Sequence, residues 1–402
     1  MNLPLSILGA PPLFAQKIPI AKPVLPSTAD LAQGLAQMLE TGIVTNGPFT
    51  KAFETAVAEN LKVKHALAVS SGTTGLMIAY RALGLEGEVI VPSFTFMASV
   101  SSLVWAGVQP VFADINYETG NLDPAAAAEA ITPRTSAIVA IHNSGNPADI
   151  AELQDLAARN NLALIFDAAH AFGSFYQGEV VGAQGDAHVF SLTPTKLVVA
   201  GEGGIIATND DQMAARVRVL REYGNPGDYN TRVAGVNGRM QEFSGLMGTY
   251  SLPKLAAAVC HRNHLATLYR ERLGKLPGIC FQLVRDGNRN SYKDFSIIVD
   301  EDAFGLTRDE LVTVLQAENI DTRNYFDPPV HRQIAYRKYA SANASLQNTD
   351  RLSARIIDLP IWSHMDEGVV SGICAAIEKA HELSSQISRR LRASVDQRAA
   401  GV

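Results

Sequence analysis

The pattern of apolar and polar residues divides the chain near residue 250. Between about residues 30 and 225, short runs rich in Val and Ile alternate with alanine-rich stretches of helical periodicity. This alternation is typical of β-α-β units and a mostly parallel sheet. The predicted strands cover residues 65–71, 88–93, 109–115, 136–142, 162–167, 187–192 and 204–208. We therefore predict one large α/β domain in this region.

Beyond residue 250 the pattern predicts a second, smaller domain. Its predicted elements are a long helix over 255–273, a strand over 295–299, a helix over 308–318 and a last helix near 369–391. We place the boundary so that residues 1–255 form the large domain with an N-terminal arm. Residues 256–402 then form a smaller α+β domain.

Length and composition favour a folded protein and exclude some partners. The 402 residues are enough for two domains, and 47% are hydrophobic while 18% are charged. The formal charge of −6 and the absence of a Lys/Arg-rich run argue against binding to a phosphate backbone. We therefore expect no nucleic-acid partner.

The cysteines and the apolar segments favour a cytoplasmic location. Cys260, Cys280 and Cys374 are widely spaced and odd in number, so they predict neither a disulfide framework nor a metal site. The first residues lack the charged and apolar regions of an export signal. No apolar run approaches the roughly 18 residues of a membrane span. We expect no membrane association.

Small and hydroxylated residues from Ser70 to Gly75 follow the first predicted strand. They open an apolar helix predicted over 76–83. Ligands of parallel sheets bind at the carboxyl ends of the strands, and the N–H groups at a helix start suit a phosphate. An ordinary Ser/Thr helix cap is an equally good interpretation of this segment alone.

An acid, Asp167, ends the apolar predicted strand over 162–167. A carboxylate buried there is expensive unless a cation lies opposite. For an aromatic nitrogen heterocycle the partner is a pyridinium N–H, which the carboxylate keeps protonated. The alternative is that Asp167 caps the next helix.

A lysine, Lys196, precedes the apolar run Leu197, Val198 and Val199. Apolar surroundings destabilise an ammonium and make the neutral amine available for carbonyl chemistry, although most lysines are plain surface charges. Asp167 lies 196 − 167 = 29 positions earlier, which leaves room for one helix or hairpin between two strands. Acid and amine can therefore face one cofactor.

Two phenylalanines, Phe94 and Phe96, follow the predicted strand over 88–93. Either ring could stack on a flat cofactor, which adds about 0.5–1.5 kcal/mol beyond burial of area. Core packing of both rings is at least as good an interpretation.

Taken in order, these segments resemble the DegT/DnrJ/EryC1/StrS family of sugar aminotransferases. The resemblance runs from Gly47 to about His331. The matching segments are VSSGTTGL, GEVIVPSFTFMAS, GVQPVFADI, AIHNSGNPADI, FDAAHAFGSFYQG, GDAHVFSLTPTK, GEGG, VNGRMQEFSG and YFDPPVHRQ. Nine matches in order are far more specific than any one of them.

The resemblance implies a pyridoxal 5′-phosphate enzyme of the aspartate-aminotransferase fold (fold type I). It also implies a homodimer with two shared active sites. By this resemblance Lys196 carries the cofactor as a Schiff base, Asp167 holds the pyridinium nitrogen and Phe96 stacks on the ring. The other implied cofactor contacts are Gly72, Thr73 and Ser191 at the phosphate, His170 near the phenolic oxygen, and Asn237 reaching the phosphate from the neighbouring subunit. The implied substrate contacts are Asn46, Gly47, Arg239 and His331.

The resemblance further implies L-glutamate as amino donor and a nucleotide-linked keto-6-deoxy sugar as acceptor. The segments 166–173 and 194–196 look more like those of enzymes that aminate C4 than C3. We therefore favour the 4-keto sugar. Phe166 and the Leu192-Thr193 pair depart from common family residues, which leaves the cofactor site intact but blurs the sugar identity.

Three other functions stay open at the level of sequence. They are amination of a cyclitol ketone, sugar dehydration, and a regulatory role without catalysis. Lys196 argues against the dehydratases, which carry histidine at this position. A nicotinamide dehydrogenase is excluded because no G-x-G-x-x-G motif follows the first strand.

Overall fold

The computed structural model describes residues 5–340 and 345–399. Residues 1–4, 341–344 and 400–402 of the two predicted domains lie outside it. The strands are β1 (His65–Val69), β2 (Glu88–Pro92), β3 (Gln109–Ala113), β4 (Thr135–Ile141), β5 (Ala163–Asp167), β6 (Phe175–Tyr176), β7 (Glu179–Val180), β8 (Ala187–Ser191), β9 (Gly204–Thr208), β10 (Ile279–Phe281), β11 (Phe295–Val299) and β12 (Ile356–Leu359). The helices are α1 (Thr28–Thr41), α2 (Pro48–Leu61), α3 (Gly72–Ala82), α4 (Ala98–Trp105), α5 (Pro124–Glu129), α6 (Ile150–Asn160), α7 (Asp211–Leu220), α8 (Glu242–Ser251), α9 (Leu255–Leu273), α10 (Glu301–Phe304), α11 (Arg308–Ala317), α12 (Gln347–Ser353), α13 (Glu367–Glu382) and α14 (Ser384–Ala399).

The main sheet of the described chain contains seven strands in the order β1-β9-β8-β5-β4-β2-β3. Strand β9 runs antiparallel to both its neighbours, while the pairs from β8 to β3 are parallel. The predicted large α/β domain with a mostly parallel sheet is confirmed. Strand β1 ends at Val69, earlier than predicted, because Ser71 becomes the N-cap of α3.

Helices cover both faces of this sheet. Neighbouring residues of β8 point to opposite sides, so Phe190 lies in the apolar cluster under α2 and Val189 in the cluster under α3. Every residue of β8 is buried, which explains its continuous apolar sequence. Helix α3 packs so close that a Cβ on Gly75 would lie 2.9 Å from Val189 Cγ1. None of the described helices is both long and apolar enough to cross a membrane.

The C-terminal part forms a second core around the antiparallel sheet β10-β11-β12. The predicted helix over 308–318 is confirmed as α11. The single last helix predicted over 369–391 is wrong, since α13 and α14 are separated by Leu383, whose backbone is not helical. The apolar periodicity continues across the break because Ile387 and Leu391 pack on the same core as α13. The apolar periodicity of the sequence therefore gave no sign of the helix break at Leu383.

The N-terminal segment, residues 5–18, packs against the C-terminal part instead of the large domain to which the prediction assigned it. Leu5 belongs to the C-terminal core. The buried carboxylate of Glu318 accepts hydrogen bonds from the backbone N–H groups of Ser6 (2.5 Å) and Leu13 (2.7 Å). These long-range bonds explain why the segment lies here. The boundary near residue 255 stays a prediction, because Leu255 still packs in the core of the large domain.

A stack of aromatic rings with two histidines lies inside the large domain. The ring of Phe166 lies 4.9 Å from that of His142 and 4.6 Å from that of His188, centroid to centroid. Burial lowers the pKa of His142 to about 3 and the pKa of His188 well below its ordinary value. Both imidazoles are therefore neutral at neutral pH and serve as core rings.

Candidate active site

A cavity of about 280 Å³ opens where the carboxyl ends of the parallel strands meet. Asp167 ends β5, Ser191 ends β8, and Phe96 follows β2, so the sheet brings these distant residues together. All the cofactor contacts predicted within one chain line this cavity: Gly72, Thr73, Phe96, Asp167, His170, Ser191 and Lys196. The position matches the general rule for ligand sites in parallel sheets.

One end of the cavity is formed by the start of α3. Ser71 caps the helix by accepting a hydrogen bond from Thr74 N–H (3.0 Å), as the helix-cap interpretation expected. The cap does not use the N–H groups of Gly72 and Thr73, which begin the helix and line the cavity. A Cβ on Gly72 would lie 3.2 Å from Ser191 Cβ, so glycine lets the helix start directly against β8. The helix cap at Ser71 is therefore compatible with an anion site formed by the N–H groups of Gly72 and Thr73.

Asp167 is a buried carboxylate without a cationic partner in the described chain. Its side chain is 6% exposed, and its two oxygens accept hydrogen bonds from Ser99 Oγ (2.7 Å) and Ala169 N–H (3.1 Å). Burial raises the pKa of Asp167, while the bonds from Ser99 and Ala169 and the charge of Lys196 oppose the rise. A turn follows the strand, so Asp167 does not cap a helix. The carboxylate therefore suits a cationic ring nitrogen.

Two residues that the sequence analysis missed hold this carboxylate in place. Ser99 Oγ donates a hydrogen bond to Asp167, so it accepts one from Thr95 Oγ1, 2.9 Å away. Thr95 lines the cavity and both hydroxyl groups are buried. The signal available in the sequence was the spacing of four between Thr95 and Ser99 beside a predicted strand end.

Lys196 lies in the turn between β8 and β9. Its backbone N–H donates to Thr193 O (3.0 Å), and the apolar residues Leu197 to Val199 that follow it are buried. Burial, followed by the charge of Lys293, lowers the pKa of Lys196 to about 7, against the opposing effects of Asp294 and Asp167. A large fraction of the amine is therefore neutral near pH 7.

The two phenylalanines after β2 have different roles. Phe94 is fully buried and packs edge-on against Phe326, with 5.6 Å between ring centroids. Phe96 is 52% exposed and lines the cavity. The core interpretation therefore holds for Phe94 alone. His170 also lines the cavity, and burial lowers its pKa well below the ordinary value, so its ring is neutral.

Three other predicted residues form a separate cluster around Glu222. Its two carboxylate oxygens accept hydrogen bonds from Asn46 Nδ2 (2.9 Å) and Arg239 Nη1 (3.4 Å). Arg239 Nε donates to Asn237 Oδ1 (3.2 Å). None of Asn46, Asn237 and Arg239 lines the cavity of its own chain. Their role in a neighbouring subunit's cavity stays a prediction.

A buried carboxylate fixes the predicted substrate residue Gly47 at the start of α2. Glu242 accepts hydrogen bonds from the N–H groups of Gly47 (2.8 Å), Phe49 (2.8 Å) and Thr50 (2.9 Å). A negative charge is favourable at a helix N-terminus. Gly47 does not line the cavity of its own chain.

His331 does not reach the cavity either. Its Nδ1 lies 2.7 Å from Ser93 Oγ, and its Nε2 lies 3.2 Å from Asp350 Oδ1. Both ring nitrogens are thus engaged by protein groups. The cavity wall from this region is made by Tyr325 and Phe326, which the sequence analysis did not single out. A substrate contact of His331 stays a prediction.

Comparison with known proteins agrees with this arrangement. The profile of the DegT/DnrJ/EryC1/StrS aminotransferase family matches residues 27–378. The chain belongs to this family. Members of the family depend on pyridoxal phosphate. The predicted aminotransferase activity, fold type and cofactor are therefore confirmed.

Similar family members include two curated transaminases and one solved structure. The dTDP-4-amino-4,6-dideoxy-D-glucose transaminase of Escherichia coli is 31% identical over 88% of this chain and 96% of its own length. The dTDP-3-amino-3,4,6-trideoxy-alpha-D-glucose transaminase of Streptomyces venezuelae is 33% identical over 89% and 94%. The crystal structure of DesI in the presence of its TDP-sugar product has 36% identity and a TM-score of 0.91, covering 96% of this chain and 99% of that one.

Proposed function

We propose that this aminotransferase moves an amino group from L-glutamate to a nucleotide-linked 4-keto-6-deoxy sugar, as a homodimer with shared sites. The observation that carries the proposal is a buried, unpaired carboxylate, Asp167, in one cavity with an amine, Lys196, that is largely neutral near pH 7. A buried carboxylate that lacks a cation and an amine that is largely neutral seldom share a cavity unless a cofactor binds between them.

The residues of the cavity fit pyridoxal phosphate. The start of α3 and Ser191 would hold the phosphate, Asp167 the ring nitrogen, Phe96 the ring face and His170 the phenolic oxygen. Bound there, the cofactor supplies an aldehyde carbon that accepts the amino group and a cationic ring that withdraws electrons. The unpaired state of Asp167 is the strongest sign of fit, because a buried carboxylate requires a partner.

Lys196 would hold the cofactor covalently and, once displaced by the amino donor, act as the base. Its Nζ would accept the proton released by the donor's α-carbon and later give it back. The second half-reaction reverses these steps on the ketone. A base whose pKa is about 7 suits both directions near neutral pH.

Other residues orient the groups and exclude water. Asp167 would keep the ring nitrogen protonated, and Ser99 fixes its carboxylate by donating a hydrogen bond. Leu76, Ile141 and Phe326 give the cavity apolar walls. A dry cavity strengthens the interaction between Asp167 and the ring.

The choice of acceptor is supported by relatives and by local sequence. The Escherichia coli relative is named for a 4-amino sugar, and the segments 166–173 and 194–196 favour the same position. The Streptomyces venezuelae relative is named for a 3-amino sugar and therefore supports the alternative, amination at C3. The acceptor therefore has to be tested directly.

The test offers each keto sugar to the enzyme charged with an amino group. The protein is incubated with pyridoxal phosphate and L-glutamate, then with dTDP-4-keto-6-deoxyglucose or dTDP-3-keto-6-deoxyglucose. We expect the absorbance of the aldehyde form to return with the 4-keto sugar, and NMR of the product to show nitrogen on C4. Amination only at C3 would overturn the choice, and amination of neither sugar would overturn the substrate class.

The homodimer is supported by an apolar groove beside the Glu222 cluster. Leu39, Val44 and Phe243 line this groove and are exposed in the single chain. An exposed apolar groove is typical of an interface. The neighbouring Asn46, Asn237 and Arg239 are then close to the edge of a second subunit.

Shared sites predict complementation between two inactive variants. Lys196→Ala removes the base, and Asn237→Asp places a negative charge where the resemblance implies a phosphate from the other subunit. After coexpression, each mixed dimer contains one site free of both changes, so we expect about one quarter of wild-type activity. Activity no higher than that of the separate variants would contradict the shared site.

A further inference from the structure

A second lysine, Lys293, lines the same cavity and is unused by the proposed chemistry. It lies two residues before β11 and is only 6% exposed. Its backbone N–H donates to Ser144 O (3.1 Å), and its backbone O accepts from Arg262 Nη1 (3.0 Å). The main chain is therefore held from both sides, by the large domain and by α9.

The ammonium of Lys293 is held as firmly as its main chain. Its Nζ lies 2.7 Å and 3.0 Å from the two oxygens of Asp294 and 5.4 Å from the centroid of the Tyr325 ring. Asp294 is itself buried. Lys196 has no such contact ion pair in the described chain. Of the two cavity lysines, Lys293 is therefore the one held in a contact ion pair.

We propose that Lys293 is a positioning residue of the active site, a fixed cation that keeps the free amine of Lys196 neutral and ready to act as base. This inference rests on the role proposed for Lys196 as the amine that holds the cofactor. Two ammonium groups in one desolvated cavity repel each other, which is a known way to activate a lysine. The electrostatics agree, since Lys293 follows burial as the largest cause of the lowered pKa of Lys196.

Among the other charged and titratable groups around the two lysines, Asp294 and Asp167 oppose this effect, but the pKa of Lys196 stays lowered. They are Asp167 at the end of β5, His170 in the following turn, Glu202 before β9, Arg262 on α9, Asp294 before β11, Asp358 on β12, and Tyr325. Burial, followed by the charge of Asp294, raises the pKa of Asp358 to about 8. His170 is neutral. Asp294 is thus the anion that compensates Lys293 directly.

The test measures the titration of Lys196 in the full-length protein before cofactor is added. Isotopically labelled acetic anhydride is applied in trace amount from pH 5 to 10, and peptide mapping by mass spectrometry gives the labelling of Lys196 at each pH. For Lys293→Met we expect the midpoint to rise by about one pH unit. Lys293→Arg keeps the charge and should leave the midpoint unchanged. Neither result depends on activity.

A second variant predicts a shift of opposite sign. Asp294→Asn, combined with Asp358→Asn so that no new anion forms, leaves the Lys293 charge uncompensated and should lower the midpoint. Packing damage next to the cavity would not give opposite shifts from adjacent residues. An unchanged midpoint in Lys293→Met, or shifts of the same sign in the two variants, would overturn the inference.

The failure of this inference is distinguishable from failure of the proposed function. In the wild-type protein, pyridoxal phosphate followed by borohydride should leave a reduced adduct on Lys196. If the adduct forms but the midpoint does not move in Lys293→Met, only the role of Lys293 is wrong. If no adduct forms on Lys196, the proposed function fails first. Circular dichroism spectra of each variant confirm that the compared chains are folded.

Discussion

Lys196→Ala is expected to lower kcat/KM for amino transfer by at least about 10⁴-fold, because one change removes both the covalent anchor and the base. Methyl in place of the aminobutyl chain leaves the turn between β8 and β9 intact, since that turn is held by its backbone and by Leu197 to Val199. The measurement is the rate of sugar amination with saturating pyridoxal phosphate and glutamate.

The matched control is Lys275→Ala, which removes an exposed lysine far from the cavity lining. It should keep wild-type activity and the wild-type borohydride adduct. Mapping by mass spectrometry should find that adduct at Lys196 in both wild type and control. An adduct on a different lysine, or substantial activity in Lys196→Ala, would contradict the assignment.

Asp167→Asn is expected to lower kcat by on the order of 10²- to 10³-fold. The amide has almost the same shape, so the backbone of β5 and the cavity wall should not move. It carries no charge, however, and the ring nitrogen opposite it is then no longer held in its protonated form. Steady-state kinetics give the loss in kcat, and a cofactor titration followed by absorbance separates it from a loss of binding.

Two serines on α4 provide graded controls for Asp167. Ser99→Ala removes the hydrogen bond to Asp167 Oδ2 but leaves the carboxylate, so its loss of kcat should be clearly smaller. Ser101→Ala changes a serine whose hydroxyl bonds to Ala98 O on the same helix and should have no effect. If Asp167→Asn lost no more activity than Ser99→Ala, the carboxylate charge would not be what matters.

The sheet could be predicted because each strand shows its apolar pattern within a short stretch of sequence. Strands such as β8 and β9 are buried on both faces, so each reads as a short apolar run bounded by turn residues. The cavity followed from the same pattern, because residues just after parallel strands meet at one edge. Asp167 and Lys196 were therefore recognisable as candidates before any contact was known.

What could not be predicted depends on contacts between distant parts of the chain. Lys293 lies 97 positions after Lys196, from 293 − 196, and no periodicity connects the two. Glu242 looks like any acidic residue at a helix start, yet its carboxylate bonds to N–H groups almost 200 positions earlier. Such pairs are formed by the tertiary fold, so single-sequence patterns carry little trace of them.

The helix break at Leu383 was concealed for a different reason. The residues on both sides contact one continuous core, so the apolar spacing does not change where the backbone does. The location of the first residues could not be predicted either. In the sequence Leu5 and Leu13 belong to an apolar arm without an evident partner, whereas in the structure Glu318 binds this arm. Sequence located the apolar residues but not their partners.

The attachment of residues 5–18 to the C-terminal core sets an order on folding in the cell. Residues 5–18 leave the ribosome before Ile373 and Ile387, which belong to the core that these residues complete. At typical synthesis rates the interval is roughly 20 to 80 s. For that time Leu5 and Leu13 lack the C-terminal core on which they pack in the folded chain.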